Sequence, residues 1–386
     1  MTAYWVRFTG WGISGAQQDE QASGTAMTTE NTKAFDGNLS PEFFEAVAGY
    51  LGERHPRYGR LLDIQLIDGG KSNWTYRVFT EHGQLVLRRP PGVHTLETAH
   101  DVGREFLFFD SFQNTDVPVP RTVDYVGEDS PIGVPFFVTE FVDGVVATRE
   151  GEGFIKEAET ARRLCNALVR TVAAIHNFDW EDSPLKRFGR PESFTARQLR
   201  RLPRQWDGSG GTGAAFQELT EALRAVELPK TPQTAVHGDF SVHNLLLDRE
   251  DPARILAVLD WELATVGDPL ADLGWFVALW VDPTDGPERL ALVGPDRKVT
   301  TSEGFFTRER LVEAYAAATG RDLSLFGFYY VFGLYKAAVI WQGVYSRYLE
   351  GGTSATGIDG MNERIPQAVE LGLRCTRSPN FPRWPL

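Results

Sequence analysis

Twelve residues, HGDFSVHNLLLD from His237 to Asp248, hold two histidines, two aspartates and an asparagine, with three leucines among the last four positions. Side chains of these types serve either a metal centre or acid–base chemistry. A zinc site would draw on His237, Asp239 and His243. That spacing lacks the i, i+4 histidines that a helix turns toward one ion, and Phe240 and Val242 suggest a loop entering a strand. Phosphoryl transfer accounts for more of the residues. It needs a carboxylate beside the attacking hydroxyl, and hard oxygen ligands for the Mg2+ that bridges the β- and γ-phosphates. Asp239 can supply the carboxylate and Asn244, five residues on, an amide oxygen, with NLLLD anchoring the loop as a buried strand. Asp260 ends the apolar run ILAVLD and offers the further carboxylate. Two short neighbouring strands would bring Asp239, Asn244 and Asp260 together.

The rest of the chain must build the cleft that holds them. Its 386 residues allow two lobes, and 42% apolar residues suit a globular enzyme. A net charge of −13 argues against nucleic-acid binding, which needs clustered Lys and Arg. Two cysteines, Cys165 and Cys375, point to reduced thiols and a cytoplasmic compartment, and no apolar run of membrane-spanning length occurs. Residues 1–35 read as a disordered N-terminal tail, with Met27 as an alternative start. Ser40 with Pro41 and Glu42 opens a helix. The runs LLDIQLI, WTYRVFT and QLVLRR read as strands, the last two joined by a turn at EHG. TLETAHDVGREFLFFDSF reads as a helix and PFFVTEFV as a strand. Beyond Asp143 the pattern turns helical, notably EAETARRLCNALVRTVAAIHNF and FYYVFGLYKAAVIWQGVYSRYLE, with Asp207–Ala215 as a flexible connection and RILAVLDWE as a short strand. The expected fold is α+β and bilobal: a small antiparallel β-rich lobe over residues 36–142 and a larger helical lobe over 143–386.

The motif HGDFSVHN, followed by LDWE, resembles the catalytic loop H-x-D-x-x-x-x-N and the metal-binding D-F-G of the aminoglycoside phosphotransferase family, a branch of the protein-kinase-like fold. That resemblance spans about residues 60–350. It implies that Asp239 is the catalytic base or hydroxyl-orienting group, and that Asn244 and Asp260 are Mg2+ ligands. It places DGGKSNWTYRV as the nucleotide-covering loop, in which Gly70, Lys71, Ser72 and Asn73 would meet phosphate oxygens. This is no Walker A, because Gln65 stands where a glycine is required. In LVLRR the resemblance puts Arg88, or Arg89, where kinases carry a phosphate-gripping lysine, with Glu105 as its partner; register favours Arg88. The backbone of Glu140 and Val142 in TEFVDG would hold the adenine edge of ATP, with GTP not excluded. Asp268 in GDPLADLGW is expected to cap a helix.

The same resemblance bears on the acceptor. Gly238 follows His237 where protein kinases have arginine, no A-P-E follows Asp260, and the stretch to Gly267 is too short for an activation segment. A small-molecule hydroxyl is therefore the expected acceptor, its identity unknown. VLRRPP, LDWELATVGDPLADL and GVYSRYL look most like the kinase-like domains associated with acyl-CoA dehydrogenases, which implies a hydroxyacyl-CoA-type substrate; Arg347 and Arg364 are candidates for its phosphates. An aminoglycoside phosphotransferase and a non-catalytic nucleotide-binding pseudokinase are the alternatives. Neither nucleic acid nor membrane is an expected partner, and oligomeric state is unknown.

Overall fold

The computed structural model describes residues 39–68, 73–91, 101–147, 154–294, 299–351, 358 and 360–386. The stretch read as a tail, including Met27, lies outside the described residues, as do Thr95–His100 of the helix expected there.

The first half is built on a sheet. Helix α1 (Pro41–Arg54) starts where Ser40 Oγ accepts from the Phe43 N–H, with Pro41 in the first turn, and it buries Phe43, Val47, Tyr50 and Leu51. Strands β1 (Leu61–Asp68), β2 (Trp74–Thr80), β3 (Gly83–Arg89), β4 (Thr122–Val126) and β5 (Phe136–Glu140) form one sheet in the order β1-β2-β3-β5-β4. All its pairings are antiparallel. Alternating residues put Tyr76, Val78, Leu85 and Leu87 against α1, in a core shared with Ile64, Phe136 and Val138. The other face meets helix α2 (Val102–Ser111), which Asp101 caps by accepting from the Arg104 N–H, seven residues into the expected segment.

Helices dominate the second half. They are α3 (Ala158–Asn177), α4 (Phe194–Gly208), α5 (Ala214–Arg224), α6 (Pro269–Ala278), α7 (Pro287–Val293), α8 (Arg308–Thr319), α9 (Phe326–Leu349) and α10 (Met361–Thr376). A continuous apolar core runs through them and reaches Phe108, Phe109 and Phe137 beneath the sheet. The connection read as flexible over Asp207–Ala215 is shorter than expected, since α4 extends to Gly208 and α5 starts at Ala214. It is also tied down. Trp206 stacks on Phe216 at 4.1 Å between ring centroids, and Gly211 N–H donates to the Trp206 carbonyl.

Two short antiparallel ladders lie between the halves: β6 (Thr234–Val236) with β9 (Thr265–Gly267), and β7 (Leu245–Leu247) with β8 (Ile255–Val258). The stretch RILAVLDWE is thus not one strand. It breaks at Asp260, whose φ of 64° is left-handed, and the chain passes through a tight turn, Trp261–Leu263, before β9. Helices α6 and α9 cross at very close range. A Cβ on Gly274 would lie 2.2 Å from the Tyr329 carbonyl oxygen, and one on Gly333 2.5 Å from that of Gly274. Only hydrogen fits at this crossing.

Candidate functional site

The segment from His237 to Asn244, between β6 and β7, is held as a loop by hydrogen bonds that no local repeat supplies. Asp272, in the first turn of α6, accepts from the His237 N–H through Oδ2 and from the Gly238 N–H through Oδ1, both at 2.8 Å. The same Oδ2 meets His176 Nε2 at 3.2 Å, while His176 Nδ1 lies 2.7 Å from the Tyr315 hydroxyl. Burial lowers the His176 pKa, with Asp272 opposing it, so the ring is neutral and donates from Nε2. Burial pushes the Asp272 carboxyl up, but its bonds to His176 and the loop amides outweigh this and its pKa ends below the usual value. Asp268 caps α6 as expected, accepting from the Leu270 N–H, and is further held by Thr195, Thr231 and Tyr329.

Gly238 adopts φ +83°, and a Cβ there would come within 2.5 Å of the Leu263 carbonyl oxygen, so the turn into Asp239 requires glycine. Past it, Asp239 N–H donates to His237 Nδ1 at 3.2 Å, and His237 Nε2 sits 2.9 Å from the Leu259 carbonyl. Both ring nitrogens are thereby used in bracing the loop, which leaves His237 no lone pair for zinc.

The structure joins Asn244 to Asp239 directly and sets Asp260 one residue past a backbone bond to Asn244. Asn244 Nδ2 donates to the Asp239 carbonyl at 2.8 Å and to its Oδ2 at 3.1 Å. The Leu259 N–H donates to the Asn244 carbonyl at 2.8 Å, so the β7–β8 ladder sets Asp260 beside Asn244. Among the described residues, Asn244 Oδ1 is buried without a hydrogen-bond donor. An amide oxygen left in that state, with a carboxylate next to it, fits a hard cation completed by water and phosphate. Strain at Asp260 fits the same reading, since left-handed aspartates persist where surrounding structure holds them.

Arg88 joins the two halves. It donates from Nε to Glu105 Oε2 at 2.7 Å, from Nη1 to Thr75 Oγ1 at 3.2 Å and from Nη2 to Asp260 Oδ1 at 3.0 Å. The Glu105 partner was expected; the Asp260 contact was not visible in sequence. Arg89 points to the opposite face, where Nη2 donates to the Tyr76 hydroxyl and the guanidinium lies 4.5 Å from the Trp74 ring. That face is covered by α1 and not open, so Arg89 is a packing residue. Burial raises the Glu105 carboxyl to about 7, against the pull of Arg88. Asn73 is buried beside Glu105. Gly70, Lys71 and Ser72 lie outside the described residues. At the end of β5, the Glu140 N–H is taken by the Arg121 carbonyl at 2.8 Å and its carboxylate by the Tyr58 hydroxyl at 3.2 Å. The Val142 carbonyl accepts from Gly144.

Two site residues were missed in sequence. Trp275 on α6 donates its Nε1–H to Asp239 Oδ1 at 2.8 Å. Lys336 on α9 donates to the Gly238 carbonyl at 2.6 Å and sits 4.3 Å from the Trp275 ring centroid. A tryptophan within an apolar helix reads as core, and no local spacing distinguishes it. The lysine gives a faint signal, as the one charge in the first twenty residues of a mostly apolar and aromatic helix.

Among the described residues no helix is long and apolar enough to cross a membrane. The model of the phosphotransferase enzyme family (APH) matches residues 63–322. The curated relatives are longer proteins. Acyl-CoA dehydrogenase family member 10 of Mus musculus is 32% identical over 80% of this chain, which spans 29% of that protein. Acyl-CoA dehydrogenase family member 11 of Gallus gallus is 31% identical over 83% of this chain and 41% of its own length. A solved candidate aminoglycoside phosphotransferase from Ralstonia eutropha superposes with a TM-score of 0.72 at 27% identity, covering 86% of this chain and 97% of its own. The thermostable mutant of aminoglycoside phosphotransferase APH(4)-Ia, solved with ADP and hygromycin B, shares the fold at a TM-score of 0.54 and 14% identity, over 86% and 98% of the two chains.

Proposed function

The chain belongs to the phosphotransferase enzyme family, and from that premise we propose that it moves the γ-phosphate of ATP to a hydroxyl of a small molecule. The observation that carries this reading is the convergence of Asp239, Asn244 and Asp260 through the Leu259-to-Asn244 and Asn244-to-Asp239 hydrogen bonds, with Arg88 on Asp260. In this reading Asp239 orients the acceptor hydroxyl and takes its proton as the oxygen attacks. Asn244 and Trp275 hold the two carboxylate oxygens apart, so the group meets its substrate without reorganising. Asn244 Oδ1 and the Asp260 carboxylate would hold Mg2+, which when bound offsets negative charge on the phosphates. In this reading Arg88 would meet phosphate oxygens with a guanidinium that is always charged.

We assign the adenine edge to the backbone at Glu140 and Val142. The Glu140 amide is already bonded within the protein, so the contacts fall to its carbonyl and to the Val142 N–H. Residues 70–73 would cover the phosphates, and the hinge between lobes lies at Val142–Asp143. The matched acyl-CoA dehydrogenase relatives favour a hydroxyacyl-CoA-type acceptor over an aminoglycoside. Cys165 and Cys375 are both free, which supports a cytoplasmic reading.

The test is ADP formation from Mg-ATP across 4-hydroxyacyl-CoAs and kanamycin-like drugs, with D239A and D260A run beside the native chain. Acceptor-dependent ADP formation that D239A abolishes, while its Mg-nucleotide thermal shift persists, supports the assignment; D260A should lose that shift. Nucleotide binding without turnover on any acceptor would instead favour a pseudokinase.

A further inference from the structure

The chain is acidic overall, yet one helix beside the site is cationic. Helix α4 carries Arg197, Arg200, Arg201 and Arg204 at i, i+3, i+4 and i+7, while its Leu202 and Trp206 are buried. These cations are unevenly neutralised. Arg200 pairs with Glu192 at 2.6 Å, and Arg197 donates to the Glu192 carbonyl. Among the described residues Arg201 has only a neutral acceptor, Gln198 Oε1, at 2.9 and 3.1 Å, and no partner of Arg204 is found. Both arginines are exposed.

Position turns this patch into a site. Helix α4 lies along α9, where Gln342 Nε2 donates to the Ser209 carbonyl at 2.9 Å and Gln205 faces Gly343. Two turns back on α9 stands Lys336, partly buried, against the Gly238 carbonyl and the Trp275 ring. Burial lowers the Lys336 pKa, Asp272 and Asp239 oppose it, and Arg201 adds repulsion. Arg201, Lys336 and Asp239 therefore share one electrostatic neighbourhood. A polycationic acceptor entering beside α4 would be repelled there, whereas a diphosphate can take paired N–H bonds from guanidinium groups.

We infer that Arg201, Arg204 and Lys336, with Arg197 at their edge, bind the phosphate-bearing part of the acceptor, so that transfer selects hydroxyl compounds carrying phosphate remote from the reacting oxygen. This rests on the phosphotransferase reading above. It also moves anion recognition away from Arg347 and Arg364, the residues suggested by sequence.

Calorimetric titration of the full chain, with the nucleotide cleft filled by Mg-AMP-PNP, tests it with coenzyme A, dephospho-coenzyme A and pantetheine. Coenzyme A should bind at least about tenfold more tightly than pantetheine in low salt, and the gap should shrink as salt screens the arginines. R201Q/R204Q should lose about tenfold or more for coenzyme A and little for pantetheine, a change of about 1.4 kcal/mol or more. Equal affinities, or no binding of coenzyme A, would overturn the inference. Because the salt dependence is read on the native chain, a variant that fails to fold does not spoil the test. Tight, salt-sensitive coenzyme A binding without ADP formation on any acceptor would sink the phosphotransferase reading and leave the anion site standing. Asp239-dependent transfer to neutral alcohols, with no preference for phosphate, would do the reverse.

Discussion

Trp275 and Asp239, 36 positions apart, are joined by a 2.8 Å hydrogen bond from the indole N–H to Oδ1, while the other carboxylate oxygen accepts from Asn244. Both oxygens of the proposed hydroxyl-orienting group are thus aimed by the protein before any substrate arrives. Lys336 reinforces the arrangement by packing its ammonium over the same indole.

Trp275→Phe keeps the ring and removes the donor. A hydrogen bond to a charged group contributes about 1.5–3 kcal/mol, so kcat should fall by roughly one to two orders of magnitude. KM for the nucleotide should stay within about twofold. A fall in nucleotide affinity with kcat intact would show that Trp275 serves the cleft and not the carboxylate.

Arg88 is buried between Glu105 and Asp260, each held by its own guanidinium nitrogen. Arg88→Met leaves two carboxylates in a common buried space without their cation, which is expected to cost about 3–5 kcal/mol. A large drop in melting temperature, partly recovered in R88M/E105Q, is the expected result. Unchanged melting would mean that solvent reaches this pair freely.

Gly238→Ala meets two penalties, a left-handed φ and a Cβ 2.5 Å from the Leu263 carbonyl. The conformational part alone costs about 1–2 kcal/mol. Because Asp239 is the next residue, the relaxing backbone should displace it. Thermal denaturation and ADP release are both expected to suffer, and a variant with full activity would contradict the tight turn.

His176 is buried and its folded pKa is lowered, chiefly by burial, from the ordinary 6.5. The unfolded chain therefore binds the extra proton at a higher pH than the folded one. Its contribution to stability is complete above about 6.5 and is lost as pH falls from there toward the lowered value. Melting temperature should decline across that interval, and His176→Gln should flatten the decline while lowering stability at neutral pH. The same variant should slow turnover, since Asp272 would lose one of the bonds that steady it against the loop.

Much of the site was legible because its parts are local. Asp239 and Asn244 share one loop, Asp260 ends an adjacent apolar run, and the alternation in β2 and β3 marks paired strands. Glu105 could be named as the partner of Arg88 only through the family resemblance, since the two lie on different elements and no local spacing pairs them. The break at Asp260 was not legible, since apolar residues on both sides mimic an uninterrupted strand. Nor was the length of α4, where Asp207 and Gly208 look like a loop but remain helical because Trp206 is anchored on Phe216.

By itself the sequence determined the chemical types and their order along the chain: a carboxylate, an amide and a second carboxylate, each next to an apolar stretch that must be buried. It also pointed to Asp268 as the cap of a helix, because a cap is a contact within a few residues. Only the tertiary structure showed what each arginine meets, for the pleat sends Arg88 to Glu105 and Asp260 and Arg89 to the opposite side, against Tyr76 and Trp74. It alone brought in Trp275, Lys336 and the arginines of α4. Their roles come from side chains meeting across tens of positions, as in the 98 separating Lys336 from Gly238. No periodicity encodes such a distance; the close crossing of α6 and α9 does.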